Sequence, residues 1–114
     1  MKKNSISVKF NNINYDFIYK RNYYGFRGDE IELKDIKNVL IGGSTADERY
    51  KPYKFTITGL INKRLEREIG QKIVNAGIEG QSTRGHIFNF ENWFSKLKEF
   101  NPNFLFSILE WMIV

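Results

Sequence analysis

The chain has 114 residues, 41% of them hydrophobic and 16% aromatic, which is the length of one domain and enough apolar material for one core. It contains no cysteine, so disulfides, thiolate zinc sites and a cysteine nucleophile are excluded. The net charge of +5 is carried by residues such as Lys2, Lys9, Lys34, Lys51, Lys63, Lys72 and Lys96, which form no dense run and accompany no nucleic-acid motif. A solvated basic surface is expected, with no nucleic-acid partner.

At the start, Met1-Lys2-Lys3-Asn4 is followed by alternating polar residues and not by an apolar stretch, so no signal peptide is read and the cytoplasm is expected. Residues 6–10 and 13–18 alternate apolar and polar side chains around Asn11-Asn12, a pair that tolerates positive φ, which predicts a β-hairpin. Residues 21–35 carry Gly25 and Gly28 among mixed charges without a period and read as a loop over the edge of the domain. Residues 37–41 read as the first buried strand. From about 52 to 69, Ile57, Leu60, Ile61, Leu65 and Ile69 recur at helical spacing, predicting a helix with that face on a sheet and Gly70 as its stop.

A second strand is expected at 72–75. A second helix is expected from about 83–85 to Phe100, with Ile87, Phe90, Phe94 and Leu97 on one side and Trp93 and Phe100 adjoining. Pro102 disfavours helix at Asn101 and leads into a third strand at 104–108. Trp93, Phe94, Phe100, Phe104 and Phe106 read as core, and the run 104–114 as a buried strand too short to span a bilayer. The order β-α-β-α-β demands parallel strands with right-handed crossovers. The sequence thus divides into an N-terminal hairpin and leader, 1–36, and an α/β domain, 37–114.

Two segments concentrate the chemistry. Val39-Leu40-Ile41-Gly42-Gly43-Ser44-Thr45-Ala46 and Val74-Asn75-Ala76-Gly77-Ile78-Glu79-Gly80-Gln81-Ser82-Thr83 are both apolar runs that break on glycine into small polar residues. Parallel strands leave a sheet toward a helix in this way, so Ser44 and the Gly80 amide are expected at one edge, in an arrangement suited to acyl transfer. Spacing alone favours a turn or N-cap role for Ser44, and Gly80 can serve simply as a tight turn. Gly42-Gly43 lacks the third glycine of a dinucleotide-binding turn, and no cofactor or metal is expected.

With the leader Asn22-Tyr23-Tyr24-Gly25-Phe26-Arg27-Gly28, these blocks resemble the SGNH (GDSL-type) ester hydrolases over roughly residues 21–106. Family members carry Gly-Asp-Ser or Gly-Gly-Ser-Thr after a hydrophobic strand, a glycine following Asn-Ala-Gly, and often Asn-x-x-Gly-Phe-Arg-Gly before the nucleophile strand. The resemblance implies a flavodoxin-like three-layer α/β/α sandwich with a parallel sheet. It implies Ser44 as nucleophile, the Ser44 and Gly80 amides as oxyanion donors, and a small-molecule or carbohydrate ester as substrate. The family's Gly-x-Asn-Asp block and late Asp-x-x-His do not occur in these 114 residues, so the match covers the N-terminal part of such a domain, truncated, with little or no turnover expected.

The only histidine, His86, falls after the second block at a helix start and reads as a surface or helix-start residue and not as the base. Asp47 and Glu48 read as complements to a helix N-terminus. Nearly half of the chain is Asn, Lys, Ile, Phe and Tyr, as expected of an A/T-rich gene. Were residues 108–113 encoded ATT TTG GAA TGG ATG ATT, one added T would read Ile-Phe-Gly-Met-Asp-Asp, which puts a glycine and an acidic pair where the third block belongs. The competing expectation is a non-catalytic paralogue that self-associates through an exposed sheet edge.

Overall fold

The computed structural model describes residues 2–78 and 83–108. Strands β1 (Lys2–Phe10) and β2 (Ile13–Arg21) pair antiparallel from Lys2↔Arg21 to Phe10↔Ile13. Asn11 and Asn12 at the tip have φ of 50° and 62°, the two positive angles of a type I′ turn, as the sequence predicts. One face of β2, formed by Tyr15, Phe17, Tyr19 and Arg21, turns toward the rest of the molecule, because alternate residues of a strand share a side.

The second sheet holds β3 (Asn38–Gly42), β4 (Ile73–Asn75) and β5 (Phe104–Ile108), parallel in the order β4-β3-β5. Between β3 and β4 lie a single helical turn, α1 (Ser44–Asp47), a 3-10 turn (Tyr53–Phe55) and α2 (Ile57–Ile69). Thr56 caps α2 through its hydroxyl, which accepts from the Gly59 amide at 3.0 Å, and Gly70 ends it at φ 65°. Between β4 and β5 lie α3 (Thr83–Asn92) and a 3-10 turn (Phe94–Lys96). The chain is thus mixed α/β, with an antiparallel hairpin and a three-stranded parallel sheet.

Alternation along β3 and β4 divides the core. Val39, Ile41, Val74 and Ala76 pack with Phe26, Leu33, Ile36 and Phe94, while Leu40 and Ile73 pack with Ala46, Leu65 and Ile108. Phe26 is fully buried among the rings of Trp93, Phe94 and Phe100, with centroids 5.1, 6.1 and 5.6 Å away. A side chain of this size buried in full contributes about 1.5–3 kcal/mol.

Several expectations need correction. The inward stripe of α2 is Thr58, Asn62 and Leu65, while Ile57, Leu60, Ile61 and Ile69 are exposed. The polar stripe is inside because it meets β4, an edge strand: the Asn62 side chain accepts from the Ile73 amide at 2.6 Å and donates to the Ile73 carbonyl at 2.9 Å. Helix α3 stops at Asn92, well before Phe100, and turns His86 and Asn89 inward while Ile87 and Phe88 face out. The indole of Trp93 donates to the Tyr24 carbonyl at 2.7 Å, and the tightened 3-10 turn that follows delivers Phe94 and Phe100 to Phe26.

Trp93, Phe94 and Phe100 belong to the core as expected, but Phe104 and Phe106 do not, being 61% and 50% exposed. Strand β5 pairs with β3 on one side only, and no other described strand covers its second edge.

Candidate functional site

The leader 22–28 is folded by its own motif residues. Asn22 is buried, its side-chain oxygen accepts from the Tyr24 and Phe26 amides, and its amide nitrogen donates to the Asp29 carbonyl. Gly25 and Gly28 take φ of 95° and 124° on either side of Phe26 and Arg27. The sequence reads this segment as a loop over the domain's edge. It does run along an edge, bridging β2 to β4 through Arg21↔Arg27 and Arg27↔Asn75, but with Phe26 and Arg27 buried it is part of the core.

Arg27 reaches from that bridge to the turn after Ser44. One guanidinium nitrogen donates to the Asp47 and Glu48 carbonyls at 2.6 and 2.8 Å, and the other to the Lys51 carbonyl at 2.6 Å. The Tyr19 ring lies 4.8 Å from its charge. Burial lowers the Arg27 pKa and nearby Asp47 raises it again, but an arginine stays charged at neutral pH.

Asn75 holds the same turn from β4. Its amide donates to the Ala46 carbonyl at 2.7 Å and to the Thr58 hydroxyl at 3.2 Å, and its side-chain oxygen accepts from the Gly77 amide at 2.8 Å. Gly77 lies so close to α1 that a Cβ there would stand 2.6 Å from the Asp47 nitrogen. The Ala76 and Ile78 amides donate to the Leu40 and Gly42 carbonyls, so the chain leading toward Gly80 runs alongside the end of β3.

Ser44 opens α1 and is exposed, with Gly43 as the residue before the helix. Together with Thr45, Glu48, Arg49, Tyr50, Lys51 and Ile57 it lines an open cleft of about 430 Å³. Gly80, the second site residue expected from sequence, lies outside the described residues. The leader, the Gly-Gly-Ser-Thr turn and the Asn-Ala-Gly block, the three segments singled out in the sequence, meet around α1.

Asp47 lies in the first turn of a helix as expected, but its carboxylate is taken up by side chains of β2. Because α1 is one turn long, Asp47 ends it, and its buried carboxylate accepts from the Tyr19 hydroxyl at 2.6 Å and from Arg21 at 3.3 Å. Arg21 also donates to the carbonyls of Gly25 and Gly77. His86 sits at the start of α3 as expected, but buried and not on the surface. Among the described residues, no cluster of three or more His, Cys, Asp or Glu is placed to hold a metal ion. No described helix is long and apolar enough to cross a membrane.

Tyr19, Arg21 and Arg49 stand in none of the sequence motifs. The first two share the inward face of β2 with Tyr15 and Phe17, a signal that strand periodicity carries once the hairpin is placed.

Burial, and after it the hydrogen bond to Asp47, raises the Tyr19 pKa above its ordinary value of 10.0. A pKa higher in the folded state means that the neutral phenol stabilises the fold below pH 10 and that this contribution fades as pH rises through the folded value. The thermal midpoint is therefore expected to fall steeply above pH 10. Tyr19→Phe should show a lower midpoint at pH 8 and a shallower alkaline fall; parallel pH profiles for the two proteins would contradict this.

Family models, curated proteins and solved structures were all compared with the chain, and none matches it.

Proposed function

We propose that this chain carries the nucleophile part of an SGNH-type ester hydrolase, built on a flavodoxin-like three-layer α/β/α scaffold. Ser44 is the attacking hydroxyl, and its own amide with that of Gly80 receives the oxyanion. The observation that supports this most is the meeting of the three family-like segments on one turn. Arg27 from the leader and Asn75 from the second block both hold the backbone of α1, the helix that Ser44 opens. The strand order adds support: second, first, third is the doubly wound order in which ligands sit beyond the carboxyl ends of the strands, and Ser44 follows the central strand there.

In the reaction, the Ser44 oxygen attacks the ester carbonyl, backbone amides hold the charge of the tetrahedral intermediate, and its collapse expels the alkoxide, which takes a proton from solvent and leaves an acyl-serine that water then cleaves. Each preorganised donor in such a site contributes about 2.7–4 kcal/mol. The Asp-x-x-His base of the family has no counterpart in these 114 residues, so solvent takes the serine proton and only activated esters react at a measurable rate.

The test is hydrolysis of 4-nitrophenyl acetate by the full chain and by Ser44→Ala. The unmodified chain should be faster by about tenfold or more, because Ser44→Ala removes the attacking oxygen while both proteins keep the backbone amides. Equal rates would overturn the esterase reading and favour a second one, a non-catalytic module. That reading rests on β5, whose exposed Phe104, Leu105 and Phe106 suit pairing with another copy of the chain.

A further inference from the structure

We propose that the Ser44 cleft takes esters bearing an anionic group, a carboxylate or a phosphate, and that Arg49 holds the anion. The ester part of this proposal rests on the hydrolase reading above, whereas the anion part rests on the geometry around Arg49.

Arg49 comes directly after Glu48, the left-handed residue that ends α1. It is a wall shared by two clefts of about 430 Å³ each: the one that holds Ser44 and Thr45, and one lined by Tyr19, Arg21, Gly25, Asp47, Ile78 and Trp93. Arg49 is thus within reach of a ligand in either cleft. The second cleft offers Tyr19, Ile78 and Trp93 to a carbon skeleton, so the pair of clefts combines an apolar wall with a cation.

The charges around Arg49 are satisfied without it. The Glu48 carboxylate takes the Lys51 ammonium at 2.9 Å and the Ile57 amide at 2.7 Å. The Asp47 carboxylate takes Tyr19 and Arg21. Arg49 itself lies over the Tyr19 ring, 4.6 Å from its centroid, and with the Asn4 amide turned so that its oxygen faces the guanidinium it donates there at 3.2 Å. Among the described residues no ion pair includes it. Its guanidinium is thus positioned by an aromatic face and a neutral amide. Among the described residues most of its five donors have no partner, in the planar fork that matches a carboxylate or phosphate. Arg21, the other cation of the second cleft, already spends its donors on Asp47, Gly25 and Gly77. Lys51, in the first cleft, is paired with Glu48. Among the described residues that line the two clefts, Arg21, Arg49 and Lys51 outnumber Asp47 and Glu48, with Arg49 as the group a ligand can reach.

Titration of the nitrogen-15-labelled full chain, followed by NMR, decides the matter. The probes are monomethyl succinate and methyl phosphate as the two kinds of anion, with dimethyl succinate as the neutral ester of matching skeleton. At least one anion should bind about tenfold or more tightly than dimethyl succinate, as one added charge-assisted contact implies. Whichever anion binds better identifies the group. Arg49→Gln should abolish the preference and Arg49→Lys should retain part of it. Equal binding of the neutral and anionic probes overturns the proposal, as does an Arg49→Gln protein that keeps the preference. The comparison on the unmodified chain needs no variant, so it stands whether or not Arg49→Gln folds. Ser44→Ala should leave the preference unchanged. An anion preference without Ser44-dependent hydrolysis would therefore sink the hydrolase reading while leaving the anion site in place, and the converse result would do the opposite.

Discussion

Arg27→Met is expected to lose about 3–5 kcal/mol of folding free energy, enough to leave much of the protein unfolded at 37 °C, since domains of this size hold roughly 5–15 kcal/mol in total. The methionine keeps most of the apolar stem and removes the donors that serve the carbonyls of Asp47, Glu48 and Lys51. Each hydrogen bond from a charged group contributes about 1.5–3 kcal/mol, and the loss falls short of their sum because methionine also escapes the desolvation of a buried cation. The three carbonyls belong to one turn and lose the guanidinium together, while that of Glu48 keeps the Lys51 amide at 3.0 Å. Arg27→Lys should recover little of the loss, because one ammonium on a flexible stem cannot span three carbonyls that a planar fork reaches. Urea unfolding of the three proteins measures this. A lysine variant as stable as the original would show that charge alone, and not the fork, holds the turn.

The sequence carried the fold where local chemistry decides it. Asn11-Asn12 specified the hairpin, Gly70 the end of α2, and the apolar runs at 39–41 and 73–74 the adjacent strands. It misled where tertiary context outweighs a pattern. The isoleucines and leucines of α2 trace a helical stripe, yet the side turned inward is the one where Asn62 satisfies the edge of β4 and Thr58 reaches Asn75. A periodicity in hydrophobic residues cannot register that a strand edge needs hydrogen bonds more than it needs another leucine. The apolar character of 104–106 likewise marks a strand fit for burial on both faces, and burial depends on neighbours that a local run does not encode.

For the site, the letters of the three blocks were legible but their work was not. Asn22, Arg27 and Asn75 stood in the motifs as family-like residues. Only in three dimensions do they become the set that ties leader, α1 and β4 together. In the sequence Asp47 reads as a complement to a helix N-terminus, a local role. A one-turn helix instead directs it to Tyr19 and Arg21, contacts that span more than twenty-five residues of sequence.

The turn bearing Ser44 is also held by what is missing at Gly77. A methyl group there would stand 2.6 Å from the Asp47 nitrogen and 2.9 Å from both the carbonyl carbon and the Cβ of Ala46. Two of these neighbours are backbone, which no rotamer change can move aside. Gly77→Ala must therefore push α1 away from β4, lengthening the Asn75 to Ala46 hydrogen bond and the Arg21 to Gly77 contact together. Overpacking of this kind costs about 3 kcal/mol, which for a chain of this length lowers the thermal midpoint by roughly 10–20 °C. Gly70→Ala is the matched comparison. Gly70 has φ 65° and no atom within 4 Å of an added Cβ, so only the left-handed backbone opposes the change, at a cost of about 1 kcal/mol. Scanning calorimetry should place the Gly77 variant well below the Gly70 variant. If the two midpoints coincide, the close approach of β4 to α1 is not what positions the Ser44 turn. Because the displacement acts on α1 directly, Gly77→Ala should also reduce Ser44-dependent hydrolysis of 4-nitrophenyl acetate at temperatures where the variant remains folded, while Gly70→Ala should leave it unchanged.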